Sequence, residues 1–470
     1  MKLADRISAL LAIALLAGCA GDPVGVNVTA PLESAWVEVG PRPQVRAVVP
    51  AGAPCPTVSI DGRSRAMTLR VAAGTAAARP TVAQPSKASV FEVGVCEADL
   101  DAGAREIRLA GVSLPGIRQE PMRILVLGDT GCRLNGATSQ RCNDPKEWPF
   151  SQVAAAAAVM TPDLVIHVGD YHYRELPCPS QLEGCRNSPW GYGWDAWKAD
   201  FFEPARPLLR AAPWVFVRGN HEECARAGQG WFRFLAPEGY AAERSCDDAG
   251  NDDTANYSEP YAISLGRNSR LIVFDSAVAG NLPLRDNNLN DRKTRANYLS
   301  QARTVSELTS APMRRSWFTS HHPVLAFAPD SRHPESVFPG NPALQGVLRE
   351  VNGASYYPDG VQLALHGHVH LFQAISFSSK HVATLVAGHG GDTVDADLPM
   401  ATVQTSSPAP GVRIDQIAHS SGFGFLMLQR VQASEDRWTV QAYRVDGSLL
   451  TQCDLAQDGQ LVCSPSGWLR

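Results

Sequence analysis

Short apolar runs recur along the chain from residue 122 onward, and several of them end abruptly at polar residues. Seven runs have the length and composition of buried strands, at residues 124–127, 164–168, 214–217, 271–274, 317–319, 362–365 and 382–386. Segments compatible with helices lie between them, at residues 151–160, 205–211, 295–308 and 342–351. This alternation predicts an α/β domain whose strands are buried on both faces. In such sheets, ligands bind beyond the carboxyl ends of the strands.

Five of these strand ends carry polar motifs. In chain order the motifs are GDTG (128–131), GDYHY (169–173), GNHE (219–222), HHP (321–323) and GHVH (367–370). A single Gly-Asp after a strand is ordinary turn chemistry, but five strand ends with carboxylates, an amide, imidazoles and a phenol are more than turns require. Residues two apart in an extended segment point the same way, so His368 and His370 can reach one site.

The side chains of these motifs form a mixed set of oxygen and nitrogen donors, which suits hard or borderline cations. The predicted ligands are Asp129, Asp170, Tyr173, Asn220, His321, His368 and His370. Seven donors are too many for one tetrahedral ion and fit two ions about 3.5–4 Å apart that share a carboxylate, as in phosphoryl transfer. Other histidines are predicted to be core or surface residues, namely His167, His172, His366, His381 and His419.

The order of the five motifs resembles the calcineurin-like metallophosphoesterases, and within them the purple acid phosphatases, over about residues 122–391. Many metallophosphoesterases have Asp-x-His at the first motif, whereas here Asp129 is followed by Thr130 and Gly131. Tyr173 lies three residues after Asp170, where the purple enzymes carry a tyrosinate ligand. The resemblance implies a four-layer αββα sandwich domain over residues 122–470.

The resemblance also implies how the ligands are shared between two metal ions. The implied ligands of the first ion, Fe(III), are Asp129, Asp170, Tyr173 and His370. Those of the second, divalent ion are Asp170, Asn220, His321 and His368, so that Asp170 bridges. Zinc, manganese and iron(II) all remain compatible with the second position. The family pattern His-x-Pro favours His321 as the ligand and leaves His322 near the substrate.

The predicted reaction is hydrolysis of a small-molecule phosphate monoester by a water molecule that the two ions activate. His221 follows Asn220 directly and is predicted to act as the acid or hydrogen-bond donor to the leaving oxygen, with Glu222 as its partner. Asn220, His322 and His389 are predicted to contact the substrate. Two alternatives stay open: a phosphodiesterase or nucleotidase on the same centre, and a non-catalytic lipoprotein that binds ligands at the cell surface.

The first 19 residues have the pattern of an export signal. Lys2 and Arg6 precede an apolar run at residues 7–16, and the following LAGC sequence resembles a bacterial lipoprotein cleavage box with Cys19 as the lipidated residue. An ordinary signal peptide cleaved nearby is the alternative. Ala20, in place of Asp, favours the periplasmic face of the outer membrane, or the cell surface. The net charge of −5, without a long basic run, argues against nucleic acid as a partner.

Residues 20–118 differ from the rest of the chain, with scattered Pro and Gly and short β-like runs, and are predicted to form a small β-rich domain. The 11 cysteines leave ten after Cys19 is set aside. Pairing between neighbours is the simplest arrangement in an oxidising compartment, namely Cys55–Cys96, Cys132–Cys142, Cys178–Cys185, Cys224–Cys246 and Cys453–Cys463. The sequence does not fix this connectivity. A zinc site built from cysteines is the alternative, which the lack of a CxxC pair disfavours.

Overall fold

The computed structural model describes residues 32–79, 85–310, 315–432 and 437–469. The predicted signal segment and the predicted lipidation site at Cys19 lie outside these ranges. Within them, no helix combines the length and the apolar character needed to cross a membrane.

The described residues form strands and helices in the following order. Strands before residue 120 are β1 (Ser34–Glu38), β2 (Gln44–Pro50), β3 (Thr57–Ile60), β4 (Arg63–Ala66), β5 (Thr68–Val71), β6 (Gly74–Ala76), β7 (Ser89–Phe91), β8 (Val93–Asp99), β9 (Ile107–Leu109) and β10 (Val112–Leu114). Later strands are β11 (Arg123–Leu127), β12 (Leu164–His167), β13 (Trp214–Phe216), β14 (Tyr261–Ser264), β15 (Ser269–Val273), β16 (Arg315–Thr319), β17 (Phe327–Pro329), β18 (Val337–Pro339), β19 (Val361–His366), β20 (Phe372–Phe377), β21 (Ala383–Ala387), β22 (Ile414–Ser420), β23 (Gly424–Gln432), β24 (Arg437–Arg444), β25 (Leu449–Leu455), β26 (Leu461–Ser464) and β27 (Gly467–Trp468). The α-helices are α1 (Phe150–Val159), α2 (Trp194–Trp197), α3 (Arg206–Leu209), α4 (Gly228–Phe234), α5 (Asp252–Ala255), α6 (Leu289–Thr309), α7 (Pro342–Asn352) and α8 (Met400–Val403).

Two large sheets carry the five motifs. The first has the strand order β26-β25-β24-β23-β11-β12-β13-β1-β2-β8-β5, and the second has the order β14-β15-β16-β19-β21-β20-β22-β27. β11, β12 and β13 are parallel, and so are β15, β16, β19 and β21. The first three motifs therefore follow neighbouring strands of one sheet, and the last two follow neighbouring strands of the other.

The two sheets pack face to face because alternate residues of each strand point to opposite sides. Ile124 and Val126 of β11 lie in a core between the sheets, together with Leu363 of β19. Leu125 and Leu127 point the other way, into a core with residues of α1 and α3. A third core lies between the second sheet and helices α6 and α7. This order of helix, sheet, sheet and helix confirms the predicted αββα architecture.

The β-rich N-terminal region is also confirmed, and four of its strands extend the first sheet. β1 pairs in parallel with β13 through Glu38 and Trp214, and the Val39 amide donates to the Trp214 carbonyl at 2.7 Å. The predicted division between residues 118 and 122 stays a prediction, since the first sheet runs through both parts of the chain.

All five predicted disulfides are present, joining Cys55–Cys96, Cys132–Cys142, Cys178–Cys185, Cys224–Cys246 and Cys453–Cys463. Two of them, Cys132–Cys142 and Cys178–Cys185, pack in one small apolar cluster beside the first two motifs. They fasten the long connections that leave β11 and β12.

Candidate metal centre

The backbone turns sharply at the ends of three motif-bearing strands. Asp129, Asp170 and His368 have φ angles of 55°, 58° and 67°, in the left-handed region that residues other than glycine seldom adopt. Such conformations persist where the surrounding structure imposes them, and they gather at functional sites. Here they turn the three side chains away from their strands and toward the space between the sheet ends.

The glycines of the motifs let the strand ends approach one another closely. A Cβ atom on Gly367 would lie 2.5 Å from Asp129 Oδ2, and a Cβ on Gly219 would overlap Asp170 Oδ1 and lie 2.9 Å from Asp170 Cγ. Each of these glycines therefore leaves room for a carboxylate that belongs to a different motif. Close approach, and not only turn formation, explains why Gly precedes Asn220 and His368.

Four of the predicted ligands meet around the Tyr173 hydroxyl. Its oxygen lies 3.1 Å from Asp129 Oδ1, 2.8 Å from Asp170 Oδ2 and 3.0 Å from His370 Nε2. Asp129, Asp170 and Tyr173 are almost completely buried, and His370 is 7% exposed. These are the four residues predicted to hold the first ion.

The other predicted ligands meet around the Asn220 amide oxygen. Asn220 Oδ1 lies 3.0 Å from His321 Nε2 and 3.0 Å from His368 Nδ1, while His321 Nε2 lies 3.2 Å from Asp170 Oδ2. Donor atoms of Asp129, Asp170 and His321 all lie within 4.8 Å of one another. The structure therefore brings all seven predicted ligands together, with Asp170 in contact with both groups.

The hydrogen bonds of two histidines show that the cluster suits cations. His321 Nδ1 lies 2.8 Å from the Val168 carbonyl and His370 Nδ1 lies 2.9 Å from the Thr393 carbonyl, so each Nδ1 carries a hydrogen. In the neutral rings, each Nε2 then directs a lone pair at a carboxylate oxygen, of Asp170 or of Asp129. Lone pairs facing one another repel, and a cation between them turns the repulsion into ligation. The donor set therefore fits the metal ions that the sequence predicts.

The charges of the site also call for cations. Burial alone would lower the pKa of both His321 and His370, but neighbouring carboxylates outweigh this effect. Asp170 and Asp129 act on His321, and Asp392 and Asp129 act on His370. They raise the pKa of His321 to about 9 and that of His370 to about 10. Burial also raises the pKa of the Asp129 carboxyl. Without metal ions, protons on His321 and His370 therefore offset the negative charge of the carboxylates at the positions where cations would bind.

Residues 122–372 match the family model described as calcineurin-like phosphoesterase, which is more than half of the 470 residues. The chain belongs to the calcineurin-like phosphoesterase family. Family membership confirms the resemblance drawn from the five motifs and indicates a phosphoester hydrolase. Together with the seven donors, it implies a dinuclear metal centre.

Solved structures share the fold of this phosphoesterase. The purple acid phosphatase PPD1 from yellow lupin (Lupinus luteus) seeds is 15% identical over 91% of this chain and 74% of its own, with a TM-score of 0.50. The protein PhoD is 13% identical over 94% of this chain and 93% of its own, with a TM-score of 0.54. At these identities, the likeness shows the fold alone. No curated protein sequence matches the chain.

The predicted catalytic residue His221 lies at the edge of the cluster. Its backbone amide donates to Asp170 Oδ1 at 2.9 Å, and its ring packs on that of Tyr173 with centroids 3.8 Å apart. Arg226 Nη2 lies 2.6 Å from His221 Nδ1 and 2.7 Å from Nε2. Burial, reinforced by the charge of Arg226, holds the pKa of His221 well below its usual range. The phosphoesterase thus presents His221 as a neutral imidazole.

The two histidines predicted to contact substrate occupy different places. His322 is buried behind the cluster, where its ring packs on that of His368 at 4.0 Å and Nδ1 lies 3.3 Å from Ser276 Oγ. His389 is buried beside Phe372, and among the described residues neither of its ring nitrogens has a hydrogen-bond partner. None of the hydrogen bonds or ring contacts of His389 within the described ranges reaches a predicted ligand.

Glu222 holds the loop of the second motif and has a different partner from the one predicted. Its carboxylate accepts no hydrogen bond from His221 and instead accepts four from backbone amides, those of Gly219 at 3.1 Å, Asp170 at 3.1 Å, Tyr171 at 2.9 Å and His172 at 3.2 Å. Glu222 is fully buried. Glu222 ties the third motif to the second and fixes the left-handed backbone conformation of Asp170.

Sequence reasoning missed several supporting residues. Asp200 accepts hydrogen bonds from the amides of Cys132 at 2.7 Å and Tyr173 at 2.6 Å and from Arg174 Nε at 2.8 Å, which joins the first two motifs. Arg133 forms an ion pair with buried Asp392, and its Nη2 lies 3.3 Å from His370 Nδ1. The signal for Asp392 lies in the GHGGD stretch (residues 388–392), where the sequence prediction selects His389. Asp200 and Arg133 have no motif signal, because only the fold brings them to the site.

Proposed function

We propose that this protein hydrolyses phosphate monoesters at a centre of one Fe(III) and one divalent metal ion. The observation that carries the proposal is the convergence of seven donors from two sheets, with the Tyr173 oxygen within 3.1 Å of three other ligand atoms. A buried phenol in contact with two carboxylates is a suitable partner for a highly charged ion, which would favour its phenolate form. The proposed ferric site therefore includes Tyr173.

The proposed ligand assignments follow the two groups of contacts. Asp129, Asp170, Tyr173 and His370 hold the ferric ion, and Asp170, Asn220, His321 and His368 hold the divalent ion, which is zinc, manganese or iron(II). When bound, the two ions supply the positive charge that binds the phosphoryl group and activates water for attack on phosphorus. Asp170 would contribute to both positions, since its carboxylate contacts both groups of ligands.

The chain's own charges favour a monoester over a diester. Arg133 and Arg226 flank the cluster, with 28% and 21% of their side chains exposed, while their partners Asp392 and Glu175 are buried. Cationic groups at the rim suit the dianion of a monoester better than the single charge of a diester. The predicted proton donation by His221 and the predicted substrate contacts of His322 and His389 stay predictions.

We also propose that the protein is exported and carries a lipid anchor at Cys19 that holds it to a bacterial membrane. Five disulfides support an oxidising compartment. Mass spectrometry of protein extracted from the membrane fraction tests the anchor, because the mature chain should begin at a lipid-modified Cys19. A mature chain in the membrane fraction that carries no lipid at Cys19 would show that the lipid is not the anchor.

Elemental analysis, a visible spectrum and ester assays on the purified protein test the proposed activity. We expect one iron and one divalent metal per chain, a visible charge-transfer band, and hydrolysis of 4-nitrophenyl phosphate in preference to bis(4-nitrophenyl) phosphate. Preference for the diester would favour the phosphodiesterase alternative. Full metal occupancy with no turnover of either ester would favour the non-catalytic alternative. A colourless protein with full metal occupancy under oxidising conditions would exclude ferric iron.

A further inference from the structure

Arg226 projects from the segment between the third motif and helix α4 to the rim of the metal centre. Its Nε donates to Glu175 Oε1 at 2.6 Å, and its Nη2 lies 2.6 Å and 2.7 Å from the two ring nitrogens of His221. Glu175 is 5% exposed, whereas the Arg226 side chain is 21% exposed. The buried carboxylate thus holds a partly exposed guanidinium against the His221 ring.

This contact determines what His221 can do. A guanidinium is always charged and can only donate, so the ring nitrogen that bonds to Arg226 must accept. His221 Nδ1 also lies 3.1 Å from the His172 carbonyl, which requires a hydrogen on Nδ1. Nε2 therefore accepts from Arg226, so the imidazole keeps no N–H for a substrate, and the contacts support a positioning role for His221 in place of the predicted proton donation. In this arrangement, His221 and Glu175 together fix the position of the guanidinium.

Arg226 keeps donor capacity of its own toward the site. Within the described part of the chain, the hydrogen bond of its Nη1 is to the Asn220 carbonyl at 3.5 Å, which is longer than a good N–H···O bond. Asn220 is the residue whose amide oxygen lies between His321 and His368. The Nη1 hydrogens therefore keep donor capacity beside the backbone of Asn220, which is a proposed ligand of the divalent ion.

We propose that Arg226 binds the phosphoryl oxygens of the substrate, with His221 and Glu175 as positioning residues, and that it selects dianionic phosphate monoesters. This inference rests on the proposed phosphoesterase function of the same centre. Guanidinium and phosphate form short, charge-assisted hydrogen bonds, and the fork of the guanidinium can span two oxygens of one phosphoryl group. A diester, with one negative charge and two substituted oxygens, gains less from the same contact.

Arg226→Gln and Arg226→Lys test the role, with Arg186→Gln as the matched control. The Arg186 side chain is 62% exposed, and among the described residues its contacts are with Glu183. Binding of inorganic phosphate to the metal-loaded proteins is measured by calorimetry, and KM and kcat are measured with 4-nitrophenyl phosphate and its bis ester. A lost hydrogen bond to a charged group is worth about 10- to 100-fold in binding. We expect Arg226→Gln to weaken phosphate binding and raise the monoester KM by that factor.

The control and the conservative variant separate this role from a structural one. Arg226→Gln should keep the metal content of the wild type but melt at a lower temperature, because buried Glu175 loses its ion pair. Arg226→Lys should recover part of the phosphate affinity, and Arg186→Gln should change nothing. The diester KM should change less than about threefold. Unchanged phosphate affinity in Arg226→Gln, lost metal, or equal losses for both esters would overturn the inference. A wild type that binds phosphate through Arg226 yet cleaves no ester would instead overturn the proposed function.

Discussion

Replacement of Gly219 by alanine is the sharpest test of how the motifs fit together. The added Cβ would overlap both Oδ1 and the backbone nitrogen of Asp170 and would lie 2.9 Å from Asp170 Cγ. Carbon atoms in contact normally stay about 3.5–4.0 Å apart, so the two motifs must separate by at least about 0.6 Å. Overpacking of this kind costs about 1–3 kcal/mol, and misplacement of reacting groups by about 1 Å costs about 100-fold in rate. We therefore expect Gly219→Ala to lose about 100-fold in kcat while the protein stays folded.

Three measurements on Gly219→Ala check this reasoning. Scanning calorimetry should show a melting temperature lowered by less than about 10 °C, elemental analysis should show weakened binding of the divalent ion, and the ester assay should show the loss in kcat. Gly239→Ala is the matched control, because a Cβ there meets no atom within 4 Å. Wild-type activity and metal content in Gly219→Ala would refute the claim that this glycine makes room for Asp170.

Other predictions concern the ligands themselves. Asp170→Asn should weaken the binding of both ions and lower activity more than about 100-fold; one ion that stays firmly bound would contradict its shared position. Tyr173→Phe should remove the visible band while the protein stays folded, as a spectrum and circular dichroism would show. Although burial lowers the pKa values of His321 and His370, carboxylates raise them to about 9 and about 10, so a cation must displace protons at pH 7. Zinc affinity measured by calorimetry should therefore rise from pH 7 to 9, and an affinity independent of pH would refute this.

The ligands could be predicted from the sequence because each is attached to a strand end. An apolar run fixes each strand, and the ligand either follows a glycine directly, as in Asp129, Asp170, Asn220 and His368, or lies elsewhere in the motif, as in Tyr173, His321 and His370. The sheet topology then brings residues such as Asp129 and His368 together from 239 positions apart. The strands, and the helix predicted at residues 342–351 and found at Pro342–Asn352, could be predicted for the same reason, since their apolar periodicity is local. The apolar runs and the polar motifs at their ends were thus enough to predict the α/β fold class and the seven ligands.

The supporting residues could not be predicted in this way. Asp200 contacts Tyr173, 27 positions away, and Arg226 is held by Glu175, 51 positions away; neither follows a strand or belongs to a recurrent pattern. Glu222 was assigned to its sequence neighbour His221, whereas its carboxylate reaches back to the second motif. The side-chain direction in a 3-10 turn, here Asn220–Glu222, depends on tertiary packing and is not fixed by the order of residues.

The N-terminal region supports the same site through helix α4, which follows the third motif. Buried Arg46 donates to the carbonyls of Phe234 and Ala236 at 2.8 Å each, at the end of that helix. Gln229, within the helix, accepts from Ser89 Oγ at 2.6 Å. Since a buried arginine satisfies carbonyls that water cannot reach, loss of these bonds would leave unpaired polar groups in the interior. The β-rich region therefore stabilises the segment that carries Arg226, so the site depends on strands from both parts of the chain.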